Sequence, residues 1–176
     1  MDERQLWQKC VAFHGHECGG LTIGYKAALY AMQLLGVGFS EDEDLVCVTE
    51  NDACGVDAIQ ALLGCSVGKG NLLFRLRGKQ AYSFFDRAGG RAVRLVLRGR
   101  PEGMSREESF AWLQSKAPAE LFEVKTPAYA LPPRAKLFQN CRCAVCGETM
   151  AEGMARLQGG QTVCLDCWQP YTRFDV

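Results

Sequence analysis

Histidine is the scarcest reactive residue in this chain: 176 residues contain two of them, against ten cysteines. Long apolar runs are missing too. No stretch reaches the ~18 residues a membrane helix needs, which excludes a helical membrane span. The opening MDERQLWQKC lacks the apolar core of a secretory signal, so a cytoplasmic location is expected. Net charge is absent, since 20 Lys+Arg balance 20 Asp+Glu, and the chain as a whole cannot steer a charged ligand from a distance. No internal repeat is visible. The length then implies one domain, or one domain with a small appendage, and 48% hydrophobic residues suffice for a buried core.

What is present is unevenly placed. Cys10, Cys18, Cys47, Cys54 and Cys65 are spread through the first part, whereas Cys141, Cys143, Cys146, Cys164 and Cys167 crowd the last quarter. In a reducing compartment this favours metal binding or reactive thiols over a disulfide framework, with a separate use for each group. Charge is segregated as well: residues 1–60 hold ten acids and three bases, residues 69–100 nine bases and one acid. Pro127, Pro132 and Pro133 make 126–133 a stiff, non-helical linker, dividing the chain into 1–133 and 134–176.

In the first part, helices are expected from about Leu21 to Leu35, stopped by Gly36, and from about Val56 to Leu63, stopped by Gly64. Ser105 and Glu108 have capping-box spacing and open a further helix through about Lys116. Strands are expected at Leu45–Thr49, Leu72–Arg77, Gln80–Phe85 and Arg91–Arg98. Val93, Leu95 and Leu97 alternate with Arg94, Val96 and Arg98, as in a half-buried strand. Short links between the last three strands predict antiparallel pairing and an α+β fold: an antiparallel sheet with flanking helices, followed by a small zinc ribbon. Arg75, Arg77, Arg94 and Arg98 are read as the solvated face of that sheet.

The ribbon reading rests on Cys143-x-x-Cys146 and Cys164-x-x-Cys167, 17 residues apart. Each pair can clamp a metal from a tight turn, and together they complete tetrahedral four-thiolate zinc coordination. So short a segment buries too little apolar surface to fold alone, so bound Zn2+ would supply its stability. Cys141 is one thiol too many and is read as a spare. Zinc of this kind is structural. The +1 balance of residues 134–176 is a weak footprint for nucleic acid, so docking of a protein or dimer assembly is expected instead.

Both histidines fall in one run with a thiol, His14-Gly15-His16-Glu17-Cys18. Imidazole and thiolate bind borderline-soft metals or act as a nucleophile–base pair. Cys54 is the natural further partner, because it and Cys18 each stand at the start of an expected helix, where anions are favoured. Three readings remain open: a second metal site of His16, Cys18 and Cys54 with or without His14, a Cys18–Cys54 redox pair, and side chains that merely cap and pack. Gly64-Cys65-Ser66-Val67-Gly68-Lys69-Gly70-Asn71 fails as a phosphate loop, having three residues where four are needed and Gly70 in place of Ser or Thr.

Phe13-His14-Gly15-His16-Glu17-Cys18-Gly19-Gly20-Leu21, Gly24-Tyr25, Cys54-Gly55-Val56-Asp57-Ala58-Ile59-Gln60, Gly68-Lys69-Gly70-Asn71-Leu72 and Gly78-Lys79 with Phe84 occur in an order that resembles the FmdE-like family of formylmethanofuran dehydrogenase. The resemblance covers residues from about 10 to 100 plus the ribbon. Gly19 stands where many members have proline, which alters stiffness and removes no ligand. The family takes its title from association with a molybdenum or tungsten enzyme that fixes carbon dioxide, whose redox chemistry resides in its other components. Stand-alone members with a zinc module look like dimerising metal-binding proteins with an α+β core. The resemblance thus implies a metal at His16, Cys18 and Cys54, with Zn, Ni or Fe as the candidates. Cys18 would be nucleophile or ligand and His16 ligand or base, while Lys69, Asn71 and Lys79 are the candidate contacts to an anionic substrate. The other expectation is a non-enzymatic accessory or regulatory protein, a homodimer in which the acidic run 41–44 meets the arginine face of its partner, or one whose ribbon docks another protein.

Overall fold

The computed structural model describes residues 2–174. The chain divides into two units, Met1–Ala135 and Lys136–Val176. The first opens with a helix, α1 (Glu3–His14), that the sequence pattern above does not include. Asp2 and Gln5 cap it reciprocally, the Gln5 N–H donating to the Asp2 carboxylate at 2.8 Å and the Asp2 N–H to Gln5 Oε1 at 3.1 Å. Leu6, Trp7, Cys10 and Val11 recur at helical spacing and turn toward the core. Gly15 ends the helix at φ 94°, a left-handed turn that a side chain would strain.

Helix α2 (Gly19–Leu35) follows at once, then strand β1 (Leu45–Thr49), helix α3 (Gly55–Leu63) and strand β2 (Leu72–Phe74). Strands β3 (Ala81–Asp86) and β4 (Arg91–Leu97), helices α4 (Arg106–Ser115) and α5 (Pro118–Leu121), and strand β5 (Phe122–Lys125) complete the unit. The five strands form one sheet in the order β2-β1-β3-β4-β5. Its pairs are antiparallel except for β1 with β2, which run parallel with Cys47 opposite Leu72. The expected antiparallel pairing therefore fails for the 72–77 strand. The physical reason is that α3 lies between β1 and β2, and a strand–helix–strand crossover returns the chain in the same direction. β2 also stops earlier than expected, although the Arg75 and Arg77 N–H groups still donate to the carbonyls of Thr49 and Glu50.

The helices cover one face of the sheet. Leu21, Tyr25, Ile59, Tyr82, Phe84 and Leu95 form the centre of the core between them. Each fully buried aliphatic or aromatic side chain contributes roughly 1.5–3 kcal/mol. Strand alternation holds as expected in β4: Val93, Leu95 and Leu97 face this core, and Arg94 points to the opposite side. On that second face Val46, Val48 and Phe85 form a smaller cluster, covered by Tyr129 from the proline-bearing segment. The acidic run 41–44 is partly used internally, since Arg134 pairs with Asp44 at 3.3 Å and the Ala135 N–H donates to Glu43 at 3.0 Å.

The packing of α2 on α3 positions the site described below. A Cβ on Gly24 would overlap the backbone of Gly55, and one on Gly55 would meet the Tyr82 hydroxyl. Only glycine at both positions lets the two helices approach this closely, which brings their N-termini together.

The second unit is built from two hairpins, β6 (Asn140–Arg142) with β7 (Thr149–Ala151) and β8 (Arg156–Gln158) with β9 (Gln161–Val163). Apart from Cys143 and Val163 its side chains are at least partly exposed among the described residues. No helix among the described residues is long and apolar enough to cross a membrane.

Candidate metal centres

The hairpin ends carry the four cysteines. Gly147, at φ 77°, turns the chain so that its N–H donates to the Cys143 carbonyl at 3.0 Å, and the Cys143 N–H donates to Glu148 at 2.9 Å. Cys143, Cys146, Cys164 and Cys167 converge, with all four Sγ atoms within 4.8 Å of one another. Cys146 Sγ and Cys164 Sγ are 3.9 Å apart. Two thiolates on one tetrahedral zinc, with bonds of about 2.3 Å, lie about 3.8 Å apart, so the donor set fits that ion. Backbone N–H groups of Cys146 and Cys164 pull the Cys143 thiol down to about 6. Hydrogen bonding to the Cys164 thiol, together with desolvation, lifts Cys167 to about 12. Four thiolates in so small a space need a cation to coexist. Cys141 lies in β6 outside the group and is half-buried.

The first unit brings together His14, His16 and Cys18, whose ligand atoms also lie within 4.8 Å of one another. His14 is the last residue of α1, His16 sits in the bend after Gly15, and Cys18 caps α2 by accepting the Leu21 N–H at 3.2 Å. The two imidazole rings are tilted by 35° with centroids 4.5 Å apart. His14 Nε2 is 3.7 Å from Cys18 Sγ. A nitrogen and a sulfur sharing one tetrahedral ion lie about 3.6 Å apart, so this pair also has ligand spacing. On its other side His14 Nδ1 is 2.7 Å from Asp57 Oδ2, and Gln60 holds the second Asp57 oxygen at 3.2 Å. A carboxylate on Nδ1 fixes the tautomer that leaves Nε2 free to bind. Asp57 and Gln60 stand three apart on one face of α3, and the sequence pattern alone assigns neither of them this supporting role. A carboxylate one turn after a candidate ligand cysteine is the signal that could have found it.

Cys54 stands at the start of α3, as expected, and faces the same place from the other side. A Cβ on Gly20 would lie 3.5 Å from Cys54 Sγ and 3.9 Å from Cys18 Sγ. Burial, and then hydrogen bonding to Cys18, raises the Cys54 thiol above its ordinary value, so the helix start alone does not make it a thiolate. Cys54 is not among the residues whose ligand atoms cluster within 4.8 Å, whereas His14 is. Cys18 and Cys54 share the wall of a cavity of about 300 Å³ with Arg100, Arg106, Ser109 and Leu113. Arg100 is oriented by donating to Ser109 Oγ at 2.8 Å.

The three expected anion contacts fall elsewhere. Asn71 is fully buried, its amide donating to the carbonyls of Asp42 and Leu45 and its oxygen accepting the Ser66 N–H. Lys69 donates to the Ser40 carbonyl at 2.7 Å. Both close the glycine-rich turn and neither lines the cavity at Cys18. Lys79 lines a different cavity, on the second face of the sheet. The cations that line the cavity with the thiols are Arg100 and Arg106, to which the sequence pattern assigns no part in a site.

The remaining cysteines of the first unit are packed in its interior. Cys10, Cys47 and Cys65 are buried, and burial raises all three thiols, Cys10 and Cys65 to about 12.

The family model described as FmdE, molybdenum formylmethanofuran dehydrogenase operon, matches residues 13–136. The chain is 27% identical over 199 aligned positions to a protein of Archaeoglobus fulgidus described as "Probable S-adenosyl-L-methionine-binding protein". That match takes in 95% of this chain and 53% of the relative, so the chain spans about half the length of the curated relative it matches. In fold the chain is similar to the crystal structure of a tungsten formylmethanofuran dehydrogenase FmdE-like protein from Syntrophus aciditrophicus. The TM-score is 0.65 at 23% identity, over 95% of this chain and 92% of that one.

Proposed function

The chain belongs to the FmdE family, and from that premise we propose that it is a cytoplasmic metalloprotein with a structural zinc in its ribbon and a separate, open transition-metal site in its core. His14, His16 and Cys18 supply two nitrogens and one sulfur, with Cys54 as a further thiol alongside. The observation that carries this reading is His14, held on Nδ1 by Asp57 with Nε2 directed to Cys18. Mixed nitrogen and sulfur donors suit zinc, nickel and iron. Three protein donors leave one coordination position for an exchangeable ligand. The cavity beside Cys18 offers Arg100 and Arg106 to that ligand, which makes a small anion its natural class. In a catalytic role Cys18 serves as ligand or nucleophile and His16 as ligand or base. Metal analysis of protein purified without added metals tests the reading. Two metals per chain in the wild type and one in Cys18→Ala support it; one metal, unchanged in Cys18→Ala, contradicts it.

A second reading has its own support. Val145, Leu157, Tyr171 and Phe174 in the ribbon unit are exposed, which favours an accessory protein whose ribbon docks a protein partner or a second copy of the chain. Sedimentation of the wild type and of Leu157→Asp distinguishes the cases. A dimer that the substitution dissociates supports self-docking, and an unchanged state in both removes it.

A further inference from the structure

The second face of the sheet holds a cavity that the metal sites do not use. It measures about 390 Å³ and is lined by Arg75, Arg77, Lys79, Arg94, Lys125 and Glu50, with Tyr129 as one wall. Read from alternation alone, these arginines are a solvated strand face. Arg75 and Arg77 are exposed, as that reading expects, and with Arg94 they also surround a concavity with an organised floor. Arg94 donates twice to Glu50, at 2.7 and 2.9 Å, and the Glu50 side chain is 3% exposed. That fork consumes the one acid lining the cavity. Lys125 pairs with Glu123 at 3.0 Å on the rim. Arg75 is held over the Tyr129 ring, 4.9 Å from its centroid, and Tyr129 is fixed by donating to Ser83 at 2.9 Å. Arg75, Arg77 and Lys79 have no carboxylate partner among the described residues.

We propose that this cavity binds a small molecule bearing two or more phosphate groups. Three unpaired cations around one concave site call for a multivalent anion, and guanidinium forks match phosphate oxygens in pairs. A volume of about 390 Å³ lies within the range of small-ligand sites and admits a short phosphate chain. The chain is neutral overall, so the three unpaired cations, all within residues 69–100, are a local concentration of positive charge and not a property of the whole surface. The acidic run of a second copy is the competing occupant. Its Glu43 and Asp44 are already engaged within their own chain, which leaves the phosphate ligand favoured.

Calorimetric titration of the full chain with sodium tripolyphosphate tests the proposal, with citrate as a polycarboxylate comparison and Arg98→Ala as a control outside the cavity. The wild type and Arg98→Ala are expected to bind tripolyphosphate equally and more tightly than citrate, weakening as salt rises. The double variant Arg75→Ser, Lys79→Ala is expected to lose about tenfold or more in affinity, since it removes two of the three unpaired cations. Both positions are exposed, and an unchanged thermal midpoint confirms that the variant is folded. Equal binding by the double variant and wild type, citrate binding as tight as tripolyphosphate, or no binding by the wild type would each overturn the proposal. So would a dimer that dissociates in the double variant without any tripolyphosphate binding.

Discussion

The two cysteine-bearing centres of this molecule differ in what surrounds them. In the ribbon, four thiols converge from hairpin ends in a unit with almost no buried side chains among its described residues. In the core, two imidazoles and a thiol converge from helix ends that are already fixed by a large apolar interior. The ribbon set is closed, with four protein donors and no position to spare. The core set has three donors, a supporting carboxylate, a second thiol nearby and a cavity alongside. On the proposed reading, the difference teaches that ligand count and surrounding packing together separate an ion that holds a fold from one that a fold holds.

That contrast is open to attack, and the largest effect is expected in the ribbon. Cys146→Ala removes one of four donors, and structural zinc in small modules is worth roughly 10–16 kcal/mol. NMR spectra should then show collapsed dispersion for the ribbon amides and unchanged core amides, while Cys141→Ser changes neither. The core centre is attacked through packing instead. Gly24→Ala forces α2 away from the Gly55 backbone and should cost the first unit about 3 kcal/mol in urea unfolding. It should also lose the core metal while the ribbon metal stays.

How much of this is legible in the sequence depends on whether the signal is local. The convergence of Cys143, Cys146, Cys164 and Cys167 is readable because a four-thiol metal clamp is encoded in spacing alone. The strand Leu45–Thr49 and the helix ends at Gly36 and Gly64 are readable from a β-branched run and glycine stops. Helix α1 carries a capping pair and a helical apolar stripe, but the charged residues at its start obscure that stripe in the sequence. The Cys18–Cys54 approach depends on Gly24 against Gly55, a fit between distant residues that no local pattern encodes. Arg100 and Arg106 are hidden for the same reason: they reach the thiols only because β4 and α4 pack beside α2. Lys69 and Asn71 mislead because glycine-rich turns with Lys and Asn suit anions, yet both side chains are consumed by backbone carbonyls.

A smaller effect sharpens the core side. Asp57→Asn keeps the shape but weakens the charge that orients His14, and such supporting groups are typically worth 10–100-fold in metal affinity. Competition with a chromophoric chelator should show that loss at the core centre only. The smallest effect is a pH limb. Arg94 holds the Glu50 carboxylate below its usual 4.5 by hydrogen bonding and charge. Its folded value is depressed, so the stabilisation is fully present above about 4.5 and is lost as pH falls through the folded value. Glu50→Gln should flatten that acid limb in urea unfolding followed against pH.

The most direct test of the contrast is graded chelation of the purified protein, with metal release and NMR spectra followed together. The account predicts two steps: the core metal leaves first with both units folded, and the ribbon metal leaves second with loss of the ribbon's dispersion alone. Release of a single metal, or loss of core structure in the first step, would contradict it.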